Sequence, residues 1–502
     1  MKRVLVIALQ EATRDLIDPW VEQGLLPNIA ALMGGGTCGH VRAEAPLITP
    51  HSWANILTGV DAGQHGIFDF WQRGADGVFH ETSTASLNAP PIWERLRGTG
   101  LRSTYLNLPM TWPLPELDGL VVSGSPGYVL TRETFTSPEL HDQLIAAHGD
   151  YSPEATAPGG REKHDYIALF DIETSRSVEA FDFLLNAQDW DFAMVYFIDA
   201  AMAQHYFWAD MTASNDNPYR DVVASAYKNL DAAIGRLVRT AGRDTVVFVI
   251  SECGAGPMRS GINLNRWLEQ QGLLRTRHDP LLGLKNFADD KLLPFVKRVL
   301  PPALKLRLSN WSIPLRNWAS SSGTHLDLDW SSTRIFSRGK EGNIFVNLSG
   351  RDPHGIVQPA KEYNELLNFV EDALLKLEDP NTGEPVVSGV ARPEQLYSGP
   401  AIEFAPDLII DWSDAAYMMT ERGCSSGDVF VERWRKGMSW PTTGSHRYDG
   451  VLIASGPGIP AGAQMGTVSH FDLLPTWLTL LGQPVPTELK GRVLAEMMES
   501  QN

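Results

Sequence analysis

KRVLVIALQEATRDLIDPWVEQGLLPNIAALM, residues 2–33, contains a strand and a helix in the order that decides the fold. Residues 3–9, RVLVIAL, are a continuous apolar run rich in branched side chains, which is typical of a parallel strand buried on both faces. A helix is expected through LPNIAALM. Further strands are predicted at 103–108, 119–124, 192–198, 244–251, 407–411 and 450–455, and further helices at 168–188, 219–240 and 361–378. This alternation predicts an α/β protein with a doubly wound, mostly parallel central sheet and helices on both faces.

The composition is that of an ordinary globular enzyme, with 502 residues, 43% of them hydrophobic and 20% charged. The formal net charge of −18 argues against nucleic-acid binding, which needs a cationic surface to displace counterions. An anionic small molecule remains compatible with this charge, because bound metal ions would dominate the local field. Cys38, Cys253 and Cys424 are odd in number and lack CxxC spacing. They indicate no disulfide framework, so a reducing compartment is expected.

The N-terminus superficially resembles a signal peptide, because a basic start precedes an apolar run. That run, VLVIAL, is shorter than a usual hydrophobic signal region, and polar residues follow it without a small-residue cleavage site. No segment approaches the roughly 18 to 20 apolar residues that a membrane span needs. We therefore expect a cytoplasmic protein without a transmembrane segment, and the sequence leaves a homo-oligomer open.

One stretch, residues 274–318, breaks the strand–helix alternation. It carries nine Lys or Arg against three Asp in an otherwise acidic chain, is rich in leucine and is interrupted by five prolines. We expect a helical insertion at 274–318 within a catalytic domain formed by 1–273 and 319–502. The insertion could be a solvated amphipathic segment, a cap over the active site, a membrane-surface helix or a contact for a partner.

Residues able to bind a metal follow several predicted strands. They are Asp199 and His205 in YFIDAAMAQH, Glu252 and Cys253 in VVFVISECG, and His446 in TTGSHRYDG. A hydroxyl, Thr49, lies in APLITPHSWANILTG just before a predicted helix. Because α/β enzymes build their sites in the crevice outside the strand ends, this pattern indicates a metal-dependent hydrolase.

The sequence resembles the alkaline phosphatase superfamily, and within it the type I phosphodiesterase/nucleotide pyrophosphatase branch. The resemblance is carried in order by residues 2–33, by APLITPHSWANILTGVDAGQHGIFDFW (45–71), by IDAAMAQH (198–205), by VISECGAGPMRSGINLNRWLEQQGLL (249–274) and by GSHRYDGVLIASGPGI (444–459). It implies an alkaline phosphatase-like fold and a phosphate-containing small-molecule substrate. The superfamily also contains phosphonate hydrolases, sulfatases, phosphomutases and group transferases, so fold similarity alone does not fix the reaction.

The resemblance also implies roles for individual residues. Thr49 matches the nucleophile, although a Thr followed by Pro also fits the start of a helix. Asp199, His205 and His446 match one complete site for a divalent metal, with zinc as the expected ion, and two imidazoles plus a carboxylate are what catalytic zinc prefers. A metal lowers the pKa of a hydroxyl and so activates a nucleophile that is weak at neutral pH.

The second metal site of the family is altered in this chain. Gln10 and Glu11 stand where the family has Asp-Gly, and Glu252 and Cys253 follow Ser251 where the family has Asp-His. A Gln oxygen, a carboxylate and a thiol can still bind metal, so Gln10, Glu252 and Cys253 form a candidate half-site. Glu11 is long enough to reach the place of the missing Asp, although its adjacent position would normally point it elsewhere. Three interpretations of the site remain open: it binds one metal firmly, it binds two metals, or its second metal site has decayed.

Three further residues are candidates for substrate contact or auxiliary roles. His51 could act as a base or as a substitute ligand, or it could be a polar residue in the first helical turn. Asn107 and Arg351 lie beside family-like segments, and each could equally be structural. The leading hypothesis is a metal-dependent hydrolase or group-transfer enzyme for a phosphate ester or diester. The alternatives are a specialised non-hydrolytic biosynthetic enzyme, or a pseudoenzyme that binds a phosphorylated ligand or a protein partner.

Overall fold

The computed structural model describes residues 2–124, 131–149, 163–214, 216–277, 328–339, 341–419, 428–431 and 441–498. Most of the predicted insertion at 274–318 lies outside the described residues, so the proposed division at 274 and 318 stays a prediction. Within the described part of the chain, no helix combines the length and apolar character needed to cross a bilayer.

The strands and helices of the described residues are numbered here in chain order. The strands are β1 (Arg3–Leu9), β2 (Gly36–Arg42), β3 (Trp71–Arg73), β4 (Phe79–Glu81), β5 (Ser103–Leu106), β6 (Gly119–Val122), β7 (Phe192–Phe197), β8 (Thr245–Ile250), β9 (Gly254–Pro257), β10 (Ser260–Ile262), β11 (Ile335–Arg338), β12 (Asn343–Val346), β13 (Val387–Ala391), β14 (Ile409–Trp412), β15 (Tyr417–Met419), β16 (Phe430–Val431), β17 (Gly444–Arg447), β18 (Leu452–Ser455) and β19 (Ala463–Ser469). The α-helices are α1 (Arg14–Glu22), α2 (Pro27–Gly34), α3 (Thr49–Thr58), α4 (Ala62–His65), α5 (Ile92–Leu96), α6 (Pro138–His148), α7 (Asp165–Ala187), α8 (Asp199–Thr212), α9 (Val222–Ala241), α10 (Leu264–Gln270), α11 (Lys361–Leu374), α12 (Pro393–Leu396) and α13 (Leu473–Leu480).

The central sheet contains eight of these strands in the order β19-β2-β18-β8-β1-β7-β5-β6. Strand β1 lies inside it and pairs in parallel with both β7 and β8. Its side chains alternate between two cores, with Leu5, Ile7 and Leu9 packed on one face. Val4, Val6 and Ala8 are packed on the other face. The predicted doubly wound sheet with helices on both faces is confirmed, and β18 is antiparallel to both of its neighbours.

The predicted strand at 407–411 does not belong to the central sheet. Strand β14 begins at Ile409 and pairs antiparallel with β13, outside that sheet. Two strands of the central sheet, β2 and β19, were not predicted. Both contain glycine, and the edge strand β19 buries only one of its seven residues, so neither shows a continuous apolar run.

The topology brings polar residues from remote segments to one edge of the sheet. Strands β1, β7 and β8 are parallel, so their carboxyl ends meet at the same edge, where Gln10, Ile198 and Ser251 follow them. Strand β17 pairs antiparallel with β9, just beyond β8, and this pairing places His446 opposite Ala255. The candidate site is therefore built at the carboxyl edge of the sheet.

Candidate metal centre

Three buried side chains from remote segments converge at this edge: Glu11, His205 and His446. One ligand atom from each lies within 4.8 Å of the others. The Nε2 atom of His205 lies 3.0 Å from Oε2 of Glu11, and Nε2 of His446 lies 3.3 Å from Oε1. Among the described residues, this is the group of His, Cys, Asp and Glu side chains that could hold a metal ion.

Both imidazoles are oriented by backbone carbonyls. His205 Nδ1 lies 3.0 Å from the Gly444 oxygen, and His446 Nδ1 lies 2.7 Å from the Leu47 oxygen. A carbonyl only accepts, so each Nδ1 carries the hydrogen, and in the neutral ring each Nε2 presents a lone pair. Two lone pairs and a carboxylate then face one another at close range. Such an arrangement requires protons or a cation between the acceptors, and carbonyl-anchored imidazoles are typical of metal ligands.

The Glu11 carboxylate is ionised in this setting. Burial would raise its pKa, but when the two imidazoles are protonated their charges and their hydrogen bonds to Glu11 outweigh burial and hold the pKa well below the usual value. Catalytic zinc is typically bound by such a donor set, two imidazoles and one ionised carboxylate, with a coordination position left open for water or substrate. The same set also suits other divalent transition metals. The residues present therefore fit a divalent cation.

Glu11 reaches the imidazoles through an unusual backbone conformation. Its φ angle is 56°, in the left-handed region that branched and long side chains seldom adopt. This turn follows β1 directly and points the side chain back across the strand ends. From the sequence, Glu11 is expected only as a stand-in at the second site, because a residue next to Gln10 in an extended chain would face the opposite way.

Asp199 is not part of this cluster. It is the first residue of α8, whereas His205 lies six residues later in the same helix. Side chains six apart on an α-helix point roughly 120° away from each other, so the two do not share a face. Burial raises the pKa of Asp199 to about 7, and the nearby side chain of Thr174 in α7 offsets only part of this shift. The structure thus supplies the carboxylate beside the imidazoles from the β1–α1 turn.

Thr49 is the first residue of α3 and remains partly exposed, while Glu11 and His205 are buried. Its Oγ1 accepts a hydrogen bond of 3.3 Å from the Gln10 amide nitrogen. The same nitrogen lies 3.4 Å from Oε1 of Glu11. A single amide therefore bridges the expected nucleophile and the carboxylate, and it does so on the side of the site that is open to solvent.

The other candidate residues of the second half-site are buried and carry raised pKa values. Burial, followed by the charge of Glu11, raises the pKa of Glu252 to about 8. Burial, followed by the charge of Glu252, raises the pKa of the Cys253 thiol well above its usual value. Glu341 adds a further carboxylate, with Oε1 3.7 Å from Nδ1 of His446. These groups surround the cluster with negative or neutral side chains.

Asn107 and Arg351 have structural contacts. Asn107 donates a 3.3 Å hydrogen bond to the hydroxyl of Ser177. The guanidinium of Arg351 makes two hydrogen bonds to the carboxylate of Asp407, at 2.7 and 2.9 Å, and a third to Asp352 at 3.1 Å. Such bidentate pairing fixes an arginine firmly, which agrees with the structural alternative for Arg351.

His51 lies in a buried network beneath α3. Its Nδ1 lies 3.1 Å from the Ile67 carbonyl, and its Nε2 lies 3.2 Å from the amide nitrogen of Asn55, whose oxygen in turn lies 2.9 Å from His65. Both ring nitrogens of His51 are thus occupied. Burial lowers its pKa to about 4. A neutral imidazole with both nitrogens bonded is poorly suited to act as a base at Thr49.

The pKa of His51 leads to a pH-dependence that can be measured. Below about pH 6.5 the unfolded chain protonates His51, but the folded protein does so only near pH 4, so stability is lost as the pH falls between these values. Between pH 7.5 and 5 this contribution is about 2 kcal/mol. We expect the free energy of unfolding of His51→Gln to fall less over this range than that of the wild type, by about that amount. If the free energies of unfolding of the two proteins, measured by urea titration, change equally with pH, the lowered pKa of His51 is wrong.

Comparisons with known proteins agree with this architecture. The model of the type I phosphodiesterase/nucleotide pyrophosphatase family matches residues 4–440. Human ectonucleotide pyrophosphatase/phosphodiesterase 5 is similar in structure, with a TM-score of 0.54 and 12% identity over 99% of this chain and 100% of that chain. Phosphonoacetate hydrolase from Sinorhizobium meliloti, solved with phosphonoformate, gives a TM-score of 0.58 and 14% identity over 96% of both chains.

At these identities the two structures support the fold alone. None of the curated proteins compared matches the chain by sequence. The family match nevertheless extends over most of the chain, from the first residues of β1 to the segment just before β17. It agrees with the central sheet and with a buried donor set for a divalent metal at its carboxyl edge. The chain therefore belongs to the type I phosphodiesterase/nucleotide pyrophosphatase family.

Proposed function

We propose that this protein is a metal-dependent hydrolase of a phosphate ester or diester, with Thr49 as the nucleophile. The observation that carries the proposal is the convergence of Glu11, His205 and His446 beside Gln10, which is bonded to Thr49. Membership of a family of metal-dependent phosphodiesterases and pyrophosphatases supports the same reaction class.

The electrostatics of the site support a role for a cation in substrate binding. The cluster and its surroundings contain the carboxyl groups of Glu11, Glu252 and Glu341, all buried. An ionised Glu11 alone would repel a phosphate dianion or monoanion. A divalent cation held by Glu11, His205 and His446 would reverse the sign of the local field. Phosphate affinity is therefore expected to depend on the metal.

The residues of this chain would then position the reacting groups. A divalent cation held by Glu11, His205 and His446 would supply Lewis-acid stabilisation of charge on phosphoryl oxygens and would favour the alkoxide form of a nearby hydroxyl. The Gln10 amide fixes the rotamer of the Thr49 hydroxyl by donating to Oγ1. Pro50 has no backbone N–H and that of Ser52 donates to Ile48, so at the N-terminus of α3 it is the N–H groups of Thr49 and His51 that would meet phosphoryl oxygens.

The proposed reaction has two steps. In the first, the bond between Thr49 Oγ1 and phosphorus forms while the bond to the leaving alcohol breaks, and the threonine proton ends on that alcohol. In the second, water cleaves the phosphothreonine ester, giving its hydroxyl group to phosphorus and its proton to Thr49. The sum is hydrolysis of one phosphate ester bond.

The test uses the full chain, stripped with a chelator and reloaded with Zn²⁺. We expect release of the aryl alcohol from an aryl phosphate monoester or diester, loss of release in the chelated protein, and recovery on adding metal. His446→Ala should lose both metal and turnover, whereas His354→Ala, at an exposed histidine, should keep both. A protein that binds one equivalent of metal yet hydrolyses neither ester would contradict the proposal and favour the pseudoenzyme alternative.

A further inference from the structure

A chain of hydrogen bonds connects the Glu11 turn to helix α9. The amide nitrogen of Gln204 donates to the Glu11 carbonyl at 2.9 Å. The amide oxygen of Gln204 accepts from the Tyr227 hydroxyl at 2.9 Å, and that hydroxyl accepts from the backbone N–H of Thr13 at 3.1 Å. Each donor meets an acceptor, so the orientation of the Gln204 amide is fixed by its partners.

This network holds the turn at its strained residue and again two residues later. Gln204 holds the carbonyl of Glu11, and Tyr227 holds the amide two residues later. A non-glycine residue in the left-handed region, such as Glu11, is disfavoured and persists only where the surroundings impose it. Gln204 and Tyr227 are both 0% exposed, so water cannot replace their hydrogen bonds without opening the core.

The ring of Tyr227 is itself held in place. It packs edge to face against Trp20 of α1, with ring centroids 5.1 Å apart. Helix α1 begins three residues after Glu11, so the same tyrosine contacts both the turn and the helix that follows it. The position of the Glu11 backbone, and with it the direction of the carboxylate, is therefore determined from α9.

We propose that Gln204 and Tyr227 are positioning residues for a divalent cation, acting through Glu11. The inference rests on the metal centre of the proposed function, but it does not require the protein to hydrolyse an ester. Without the network the turn would relax toward an ordinary φ angle, and the carboxylate would leave the two imidazoles. Affinity for the cation would then fall although its three ligands remain in the chain.

The test measures binding of Zn²⁺ alone to the full-length protein, by competition with a chromophoric chelator. Loss of an outer hydrogen bond to a metal ligand lowers metal affinity by roughly 10–100-fold. We expect Tyr227→Phe to weaken zinc binding by about 10-fold. Tyr105→Phe is the matched control, because it removes a buried hydroxyl from the core on the other face of the sheet, and it should leave the affinity within about 2-fold.

A double-mutant cycle separates positioning from a merely structural role. If Tyr227 acts through Glu11, Tyr227→Phe should have little further effect in a Glu11→Gln background. Equal losses in both backgrounds, or no loss in the wild-type background, would overturn the proposal. Should Tyr227→Phe fail to fold in chelator, Gln204→Met gives the same cycle, since it removes the donor to Glu11 and keeps the side-chain length. If the wild-type protein binds zinc but shows no turnover, the proposed function is wrong, and the proposal for Gln204 and Tyr227 is unaffected.

Discussion

Glu11→Gln should lower the zinc affinity of the protein by about 100-fold or more, and turnover should fall with it. The substitution preserves the size of the side chain but removes the negative charge that faces His205 and His446. An amide oxygen is a weaker ligand for a divalent cation than a carboxylate, and the two imidazoles then bind alone. Isothermal titration with Zn²⁺ and elemental analysis of the purified protein measure the effect.

Asp199→Asn is the matched control for this experiment. Asp199, like Glu11, is a buried residue with a carboxyl side chain. The sequence suggested it as the metal ligand, but the structure places it near Thr174 of α7. We expect its zinc affinity to stay within about 3-fold of the wild type, since it removes no group from the cluster. If Asp199→Asn loses the metal and Glu11→Gln retains it, the assignment of ligands from the structure is wrong.

Thr49→Ala should reduce kcat on an aryl phosphate ester by about 1,000-fold or more while zinc content stays unchanged. Removing a covalent nucleophile abolishes the first step of the reaction, whereas Glu11, His205 and His446 remain to hold the cation. Both kcat and zinc content must be measured on the same preparation, because a fall in turnover that accompanies loss of metal would say nothing about the nucleophile.

Thr49→Ser provides the informative partner variant. It keeps the hydroxyl that accepts from Gln10, so turnover should remain within about 10-fold of the wild type. If the alanine variant is as active as the serine variant, water attacks phosphorus directly and Thr49 is only the first residue of α3. A trapped phosphothreonine in the wild type, detected by mass spectrometry, would exclude that outcome.

Much of the fold could be predicted because the buried strands have a simple pattern. Every residue of β1 from Val4 to Leu9 contacts one of two cores, so the sequence shows an unbroken apolar run. Strand β2 is also well buried, but through small and polar residues such as Gly36, Thr37 and Gly39, which carry no such signal. Its place in the sheet depends on pairing with β18 and β19, which local sequence does not reveal.

The site was predictable only in part, for a different reason. The prediction that His205 and His446 lie together agrees with the structure, since α8, which follows β7, and β17, which pairs with β9 beyond β8, bring them to the same edge of the sheet. The carboxylate was harder, because its direction depends on one backbone angle at Glu11 that no local pattern indicates. Asp199 and His205 lie six residues apart in α8, which was not among the predicted helices, and residues six apart seldom share a helix face.

The carbonyl that orients His446 belongs to Leu47, two residues before Thr49. A displacement of that imidazole therefore pulls on the segment that carries the reactive hydroxyl. Ions of different radius would set the ring at different depths, and the hydroxyl would follow. If Thr49 is the nucleophile, exchange of the ion would therefore be expected to change the rate of the reaction as well as the affinity for the ion.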